Sequence, residues 1–300
     1  STRGPRALLR ENVLTTPALC TPMASVSLSI FGIVLLSAVT HAIWNFIARK
    51  SKGNIGVLYI GMGFGATLLI PFAIYFLAWF LSGTQGWQWK ALLFAFVTGI
   101  VHAFYIRCLA YVYETGEIST VYPISRGSGV ALTAVVGNLL LDDRISPLGW
   151  CGVFAISLGV LLIGLSTSAL LRRIFYTTLR TVLVALFIGF LICGYSLWDS
   201  VGVKLTNPVV YVALMGVFET ILLTPYVMKR QWNQTLLAYR TMKKEIVVVG
   251  IGTMGTYAVV LYAFQGSYAP YVVALREFGV VIGCIMGFVC LKVLLSSKKI

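Results

Sequence analysis

From about residue 26 to residue 294 the chain is a near-unbroken series of apolar runs, most of them too long for anything but a bilayer-crossing helix. A hydrocarbon core about 30 Å thick takes about 20 apolar residues in helical form. Runs of this kind predict helices over 26–48, 55–81, 90–113, 118–141, 147–170, 179–202, 207–228, 245–264 and 268–294. The segments between them are short, except for 229–244, which reads as a charged loop. Barrel strands are excluded, because those are about ten residues long and alternate in polarity. The composition agrees. Charged residues make up 11% of the chain, against about 25% in soluble domains. With 59% hydrophobic residues, disorder is excluded as well.

The formal net charge of +14 does not point to nucleic acid. Lys and Arg fall almost entirely between the apolar runs, as positive-inside charge does. A nucleic-acid binder gathers them along one groove-facing element.

Residues 1–25 stand apart as a non-core N-terminal segment. They are mixed in character and broken by proline. Met23 precedes small residues and the first apolar run, so the native start is placed there and the upstream stretch is read as flanking or leader sequence. A short targeting peptide carrying Arg3, Arg6 and Arg10 is the rival reading.

The rest of the chain repeats itself. Slid along itself until Arg126 meets Arg276, it also brings Gly116 onto Gly266, Gly129 onto Gly279 and Gly137 onto Gly287. Slid slightly further, it brings Trp44 onto Trp198, Asn45 onto Asp199 and Lys50 onto Lys204. Glycines alone match by chance in apolar sequence. An intramembrane Arg with Gly three residues on, twice at equivalent depth, is a stronger signal. The expectation is two halves, 26–170 and 171–300, of about five helices each. An odd number of helices per half inverts the second half in the membrane, as in many secondary transporters, which hold substrate near the midplane. The expected fold class is therefore an all-α polytopic membrane protein of two inverted repeats. Nine spans are present and the tenth is missing, with Ser296-Ser297-Lys298-Lys299 reading as a loop towards it.

Charges inside a bilayer are costly, so each one invites a functional hypothesis. Arg126 lies about 12 Å into the fourth run, at 1.5 Å per residue. Arg276 lies equally deep in the ninth. Two guanidiniums near the midplane can grip a carboxylate or phosphate with forked hydrogen bonds. The alternative is that each pairs with a buried acid and fixes the bundle. Glu277 adjoins Arg276 but points about 100° away around the helix, which makes it a poor partner for that residue. Glu219, about 18 Å into the seventh run, faces no acid in its repeat mate near Phe64. It is the candidate for proton coupling, with a structural acid as the alternative.

His41, Trp44 and Asn45 share one helix face, and so do their repeat mates Tyr195, Trp198 and Asp199. They read either as a cavity wall, where a substrate stacks and hydrogen-bonds, or as interfacial aromatic anchors. Tyr122, one turn before Arg126, belongs with the substrate-binding set. His102, Tyr105 and Arg107 offer further polar surface, or a satisfied contact between helices. Tyr257 and Tyr262 are weaker candidates. The stripes Gly129–Thr133–Gly137 and Gly279–Gly283–Gly287 read as close packing between the halves. Gly61, Gly63 and Gly65 follow no strand, so they are not a nucleotide loop. No CxxC, HExxH, GxSxG or Walker sequence occurs, and two His make a multi-histidine metal site unexpected. Neither metal nor cofactor is expected.

The run GEISTVYPISRGSGVALTAVVGNLLLDDRISPLGWCGVFAISLGVLLIG at 116–164 resembles the fourth and fifth helices of the EamA branch of the drug/metabolite transporter superfamily. HAIWNFIARKS at 41–51 is similar to the end of that family's first helix, and YVVALREFGVVIGCIMGF at 271–288 to its ninth. The resemblance covers roughly 26–300. It implies ten helices in two inverted halves, moving small metabolites by alternating access, often against a proton gradient. It is nearly silent about substrate. It also implies both termini in the cytoplasm, whereas the loops after the odd-numbered runs hold most of the Lys and Arg, which places the N-terminus outside.

The expected function is secondary active transport of a small polar or anionic metabolite, coupled to protons. The expected partners are that substrate, protons and the lipid bilayer, with no nucleic acid. The alternatives are a truncated or non-transporting membrane subunit and, with less support from the spacings, a membrane-embedded enzyme. The expected location is the cell inner or plasma membrane; an organelle membrane would give the same sequence pattern.

Overall fold

The computed structural model describes residues 27–51, 54–82, 89–115, 118–165 and 179–291. The segment 1–25 lies outside them. The described residues are helical, with no strand among them. The chain runs through α1 (Leu28–Lys50), α2 (Ile55–Ser82), α3 (Trp89–Thr115), α4 (Ile118–Leu140), α5 (Pro147–Leu165) and α6 (Leu179–Gly202). A 3-10 turn (Val203–Leu205) leads to α7 (Pro208–Tyr226), and a π turn (Val227–Gln231) to α8 (Trp232–Thr241). Then come α9 (Lys243–Gly266), α10 (Ala269–Arg276) and α11 (Phe278–Leu291). Polar residues start two of these helices. The Ser27 side chain accepts from the Ile30 N–H, and Asn207 accepts from the Val209 N–H ahead of Pro208.

Among the described residues six stretches are long and apolar enough to cross a membrane: Leu28–Lys50, Ile55–Ala78, Trp89–Val112, Val182–Leu205, Pro208–Thr241 and Lys243–Gly266. A shorter apolar helix covers Pro147–Leu162. The outer surface carries large apolar side chains, among them Phe72, Tyr75, Phe154, Phe190 and Ile221, while Arg126, Asp199, Glu219, Arg276 and Glu277 are buried. An apolar exterior around a charged interior is the reverse of a soluble domain. This is an integral membrane protein.

Two segments differ from expectation. The stretch 229–244 is not a loop. After Pro225 the chain widens into the π turn and continues as α8. Its charges sit on the outside, with Lys229, Arg230 and Arg240 exposed and Thr235 and Ala238 buried, and α8 packs on α2. The ninth run is not one helix either. It breaks between Arg276 and Glu277, where the Glu277 N–H bonds to the Ala274 carbonyl at 3.1 Å and the Val280 N–H to the Glu277 carbonyl at 2.8 Å. Those bonds span three residues, so the chain takes a tight turn inside an apolar stretch.

The packing has a pattern. α4 packs on α6, and α1 on α10 and α11. α9 packs on α2, and α3 on α7. α9 also packs on α1, and α3 on α6, while α2 meets α7 and α4 meets α10. Glycine permits the tightest of these crossings. Gly61 and Gly65 of α2 lie so close to Gly250 of α9 that a Cβ on Gly65 or Gly250 would run into the facing backbone. Of the expected stripes, a Cβ on Gly279 would come within 2.8 Å of the Ala38 carbonyl oxygen, and Gly129 faces Ile192, whereas Gly283 meets nothing within 4 Å.

Candidate functional site

Polar residues on several helices are turned inward by this packing and meet at one cavity of about 50 Å³. Its wall takes His41 and Trp44 from α1, His102 and Tyr105 from α3, and Tyr195 from α6. Glu219 comes from α7, Tyr257 from α9 and Arg276 from α10.

Arg276 owes its place to the helix break. It occupies the last turn of α10, where backbone carbonyls carry partial negative charge, and Glu277 lies between the helices, just ahead of α11, whose first N–H groups are partially positive. Each charge thus sits at the helix end that favours it. Arg276 is 3% exposed. Its Nη2 donates to the Tyr195 hydroxyl at 3.2 Å, and its Nε has no hydrogen-bond partner among the described residues. Among the described residues no carboxylate forms an ion pair with it.

Arg126 is equally deep but fully engaged. Its Nη1 donates to Glu277 Oε1 at 3.2 Å, its Nη2 lies 2.8 Å from His41 Nε2, and its guanidinium carbon is 5.3 Å from the centre of the Tyr122 ring. The acid beside Arg276 in sequence therefore serves Arg126. Glu277 had no assigned role in the sequence reading. The available signal was its direction, since a step of about 100° per residue turns it away from Arg276 and towards another helix. Arg126 and Tyr122 do not line the cavity; Arg126 stands behind His41, with Tyr122 beside Arg126.

Glu219 is fully buried on the cavity wall. Neither carboxylate oxygen has a hydrogen-bond partner among the described residues, and Oε2 lies 3.7 Å from His102 Nδ1. The His102 ring stands edge-on to Tyr195 at 4.5 Å and near Tyr257 at 5.2 Å, which forms an aromatic wall. Asp199 sits behind that wall. Its carboxylate accepts from Tyr211 at 2.8 Å and from Thr98 and Tyr257, and of these three Tyr257 lines the cavity. Thr98 and Tyr211 were not among the sequence candidates.

The two expected triplets are not equivalent. Trp44 is buried edge-on to His41 at 5.0 Å, with its indole N–H unpartnered. Trp198 instead faces outward, stacked on Phe94 at 4.4 Å and donating to the Phe94 carbonyl at 3.0 Å. Asn45 donates back to the His41 carbonyl of its own helix at 3.1 Å. Tyr262 is exposed, and Arg107 lies on the exposed side over the Tyr226 ring at 4.5 Å.

Buried polar side chains normally find partners. Here Trp44 Nε1, His102 Nε2, both Glu219 oxygens and Arg276 Nε lack one, and all four residues line this single cavity. Together they offer a cation, an indole donor, an imidazole and a carboxyl to one occupant. No family model matches the chain, and no curated protein matches it.

Proposed function

We propose that the chain is a secondary transporter of the EamA type that moves a small polar anion across its membrane by alternating access. The observation that carries this reading is the convergence of unpartnered polar atoms on one cavity inside an apolar shell. Among the described residues the Arg276 guanidinium has no carboxylate in ion-pair contact, and a buried cation gains from one. An acidic group on the substrate would supply the missing partner, with the Trp44 N–H as a second donor. Glu219 and His102 would take a donor group of the same substrate, or exchange the coupled proton. Tyr195 and Tyr257 would give it a stacking surface. Of the earlier candidates, His41, Trp44 and Arg276 keep a place at the cavity, Arg126 and Tyr122 stand behind it, and Asp199 positions Tyr257.

The reading also assigns the chain two inverted halves. It is supported by the packing among these helices, in which exchanging α1, α2, α3 and α4 for α6, α7, α9 and α10–α11 turns α4–α6 into α1 with α10–α11, α2–α9 into α3–α7 and α1–α9 into α3–α6, and returns α2–α7 and α4–α10 to themselves. The cavity lies where those two groups meet. At about 50 Å³ it is far below the roughly 300 Å³ of a small-molecule pocket. A metabolite would need the two groups to part, as alternating access requires.

A thermal-shift screen tests the assignment. A ligand that binds only the folded protein raises its Tm. Organic acids, phosphate esters, amino acids and neutral sugars would be added separately to the purified protein. An acidic class that stabilises the wild type and not Arg276→Ala is expected. Stabilisation by neutral sugars alone, or acid stabilisation that survives Arg276→Ala, would contradict the reading.

A further inference from the structure

Over 229–245 the chain holds five Lys and Arg against one acid, Glu245. Lys229, Arg230, Arg240, Lys243 and Lys244 are all exposed, and among the described residues none of them is in an ion pair. Transport through the cavity makes no use of them.

Their depth follows from helix length. The apolar stretch Pro208–Thr241 is 34 residues long. At 1.5 Å per residue that is about 50 Å, whereas the hydrocarbon core takes about 30 Å. Cations are costly inside that core, so α7 crosses it and α8 falls at the headgroup level. α8 is held there by α2. A Cβ on Gly56, in the first turn of α2, would come within 2.6 Å of the Thr235 Cα. Arg49 and Lys50, in the last turn of α1, are exposed at the same end.

α8 is more than basic. Thr235 and Ala238 take its buried side, whereas Trp232, Leu236 and Tyr239, spaced i, i+4, i+7, form an exposed apolar stripe. Trp232 and Tyr239 are each more than half exposed. Cations stand at both ends of the stripe. Lys229 and Arg230 precede it, Arg240 lies one turn beyond Leu236, and the Lys243 Nζ is 5.9 Å from the centre of the Tyr239 ring.

We propose that α8 and its flanks form a binding surface for anionic phospholipids of the leaflet that they face. The guanidinium and ammonium groups hold the headgroup phosphates. Trp232, Leu236 and Tyr239 lie against the upper parts of the acyl chains, as the apolar side of an interfacial helix does. The stripe decides between a lipid and a soluble anion, because a free phosphate offers nothing to three apolar side chains.

The test measures hydrogen exchange on the intact protein in two sets of nanodiscs, one of phosphatidylcholine alone and one with phosphatidylglycerol mixed in. Amides of 229–244 are expected to be about tenfold better protected in the anionic discs. Replacing all five cations by Gln should abolish that gain. Lys90→Gln with Arg144→Gln, a control at the start of α3 and in the α4–α5 connection, should keep it. Soluble glycerol phosphate added to the neutral discs should protect nothing. Equal protection of the wild type in the two discs overturns the proposal and leaves the cations to a soluble acidic partner. A gain that survives in the five-Gln variant, or protection by glycerol phosphate alone, overturns it as well. If the five-Gln variant does not fold, the wild type still decides. Its gain must shrink severalfold in about 1 M salt, where charges are screened beyond about 3 Å; a gain that salt leaves unchanged contradicts phosphate binding. The surface lies outside the cavity, so neither result bears on the ligand screen.

Discussion

Arg126 and Arg276 match in the sequence repeat yet differ in their surroundings, and mutation should separate them. Arg126→Ala strands the buried Glu277 carboxylate, and breaking a buried pair in this way costs about 3–5 kcal/mol. The Tm of purified Arg126→Ala should fall sharply, and adding Glu277→Gln should recover part of the loss. Arg276→Ala removes a guanidinium with no paired acid, so its Tm should hold or rise. Equal losses in the two single variants would refute this contrast. Outside the helices, burial in the α4–α5 connection pushes the Asp143 carboxyl up to about 6, against the pull of Lys204 and a hydrogen bond from the Ala269 N–H. Because its folded pKa lies above the unfolded value of about 3.9, the fold favours the protonated form. That contribution is full below the unfolded value and is lost as pH rises through about 6. Melting of wild type against Asp143→Asn should show the wild type losing ground between pH about 4 and about 7; a constant difference would count against it. The sequence made the charges legible, because a bilayer makes every Arg and Glu conspicuous. It could not pair them. Glu277 reads as a neighbour of Arg276, and Trp198 as a twin of Trp44, until the packing turns one inward and the other out.

Helix lengths were legible for a similar reason, since the hydrocarbon core sets the length of an apolar run. The irregular elements were not. α8 reads as a loop because Lys229, Arg230 and Arg240 interrupt the apolar pattern, and only packing against α2 identifies Thr235 and Ala238 as its buried side. The break at Arg276–Glu277 has no proline to announce it. It leaves a cation in the last turn of one helix and an acid just ahead of the next, the placement that helix-end charges favour. The crossing of α2 and α9 gives a prediction at this scale. Gly250→Val would force the two backbones apart, and overpacking costs about 1–3 kcal/mol. The Tm should drop while the ligand selectivity found in the screen is retained. An unchanged Tm would mean the crossing is looser than the contact of Gly61 and Gly65 with Gly250 implies.

For the molecule as a whole, an apolar exterior, a charged interior and a packing pattern that survives exchange of two helix groups are the properties expected of a carrier built from paired halves. The repeat in the sequence raised the expectation of paired helices. It did not locate the cavity, because the cavity depends on which face of each helix turns inward. The central claim is that Arg276 takes the acidic group of a transported substrate. Flux into proteoliposomes tests it most directly. Purified wild type and Arg276→Ala would be reconstituted side by side and offered a mixed pool of organic acids, phosphate esters, amino acids, nucleosides and sugars under an imposed pH gradient, with mass spectrometry reading what enters. Uptake of one anionic class by the wild type, lost in a folded Arg276→Ala, is the predicted result. Uptake that Arg276→Ala retains, or no uptake of any compound by folded wild type, would contradict it.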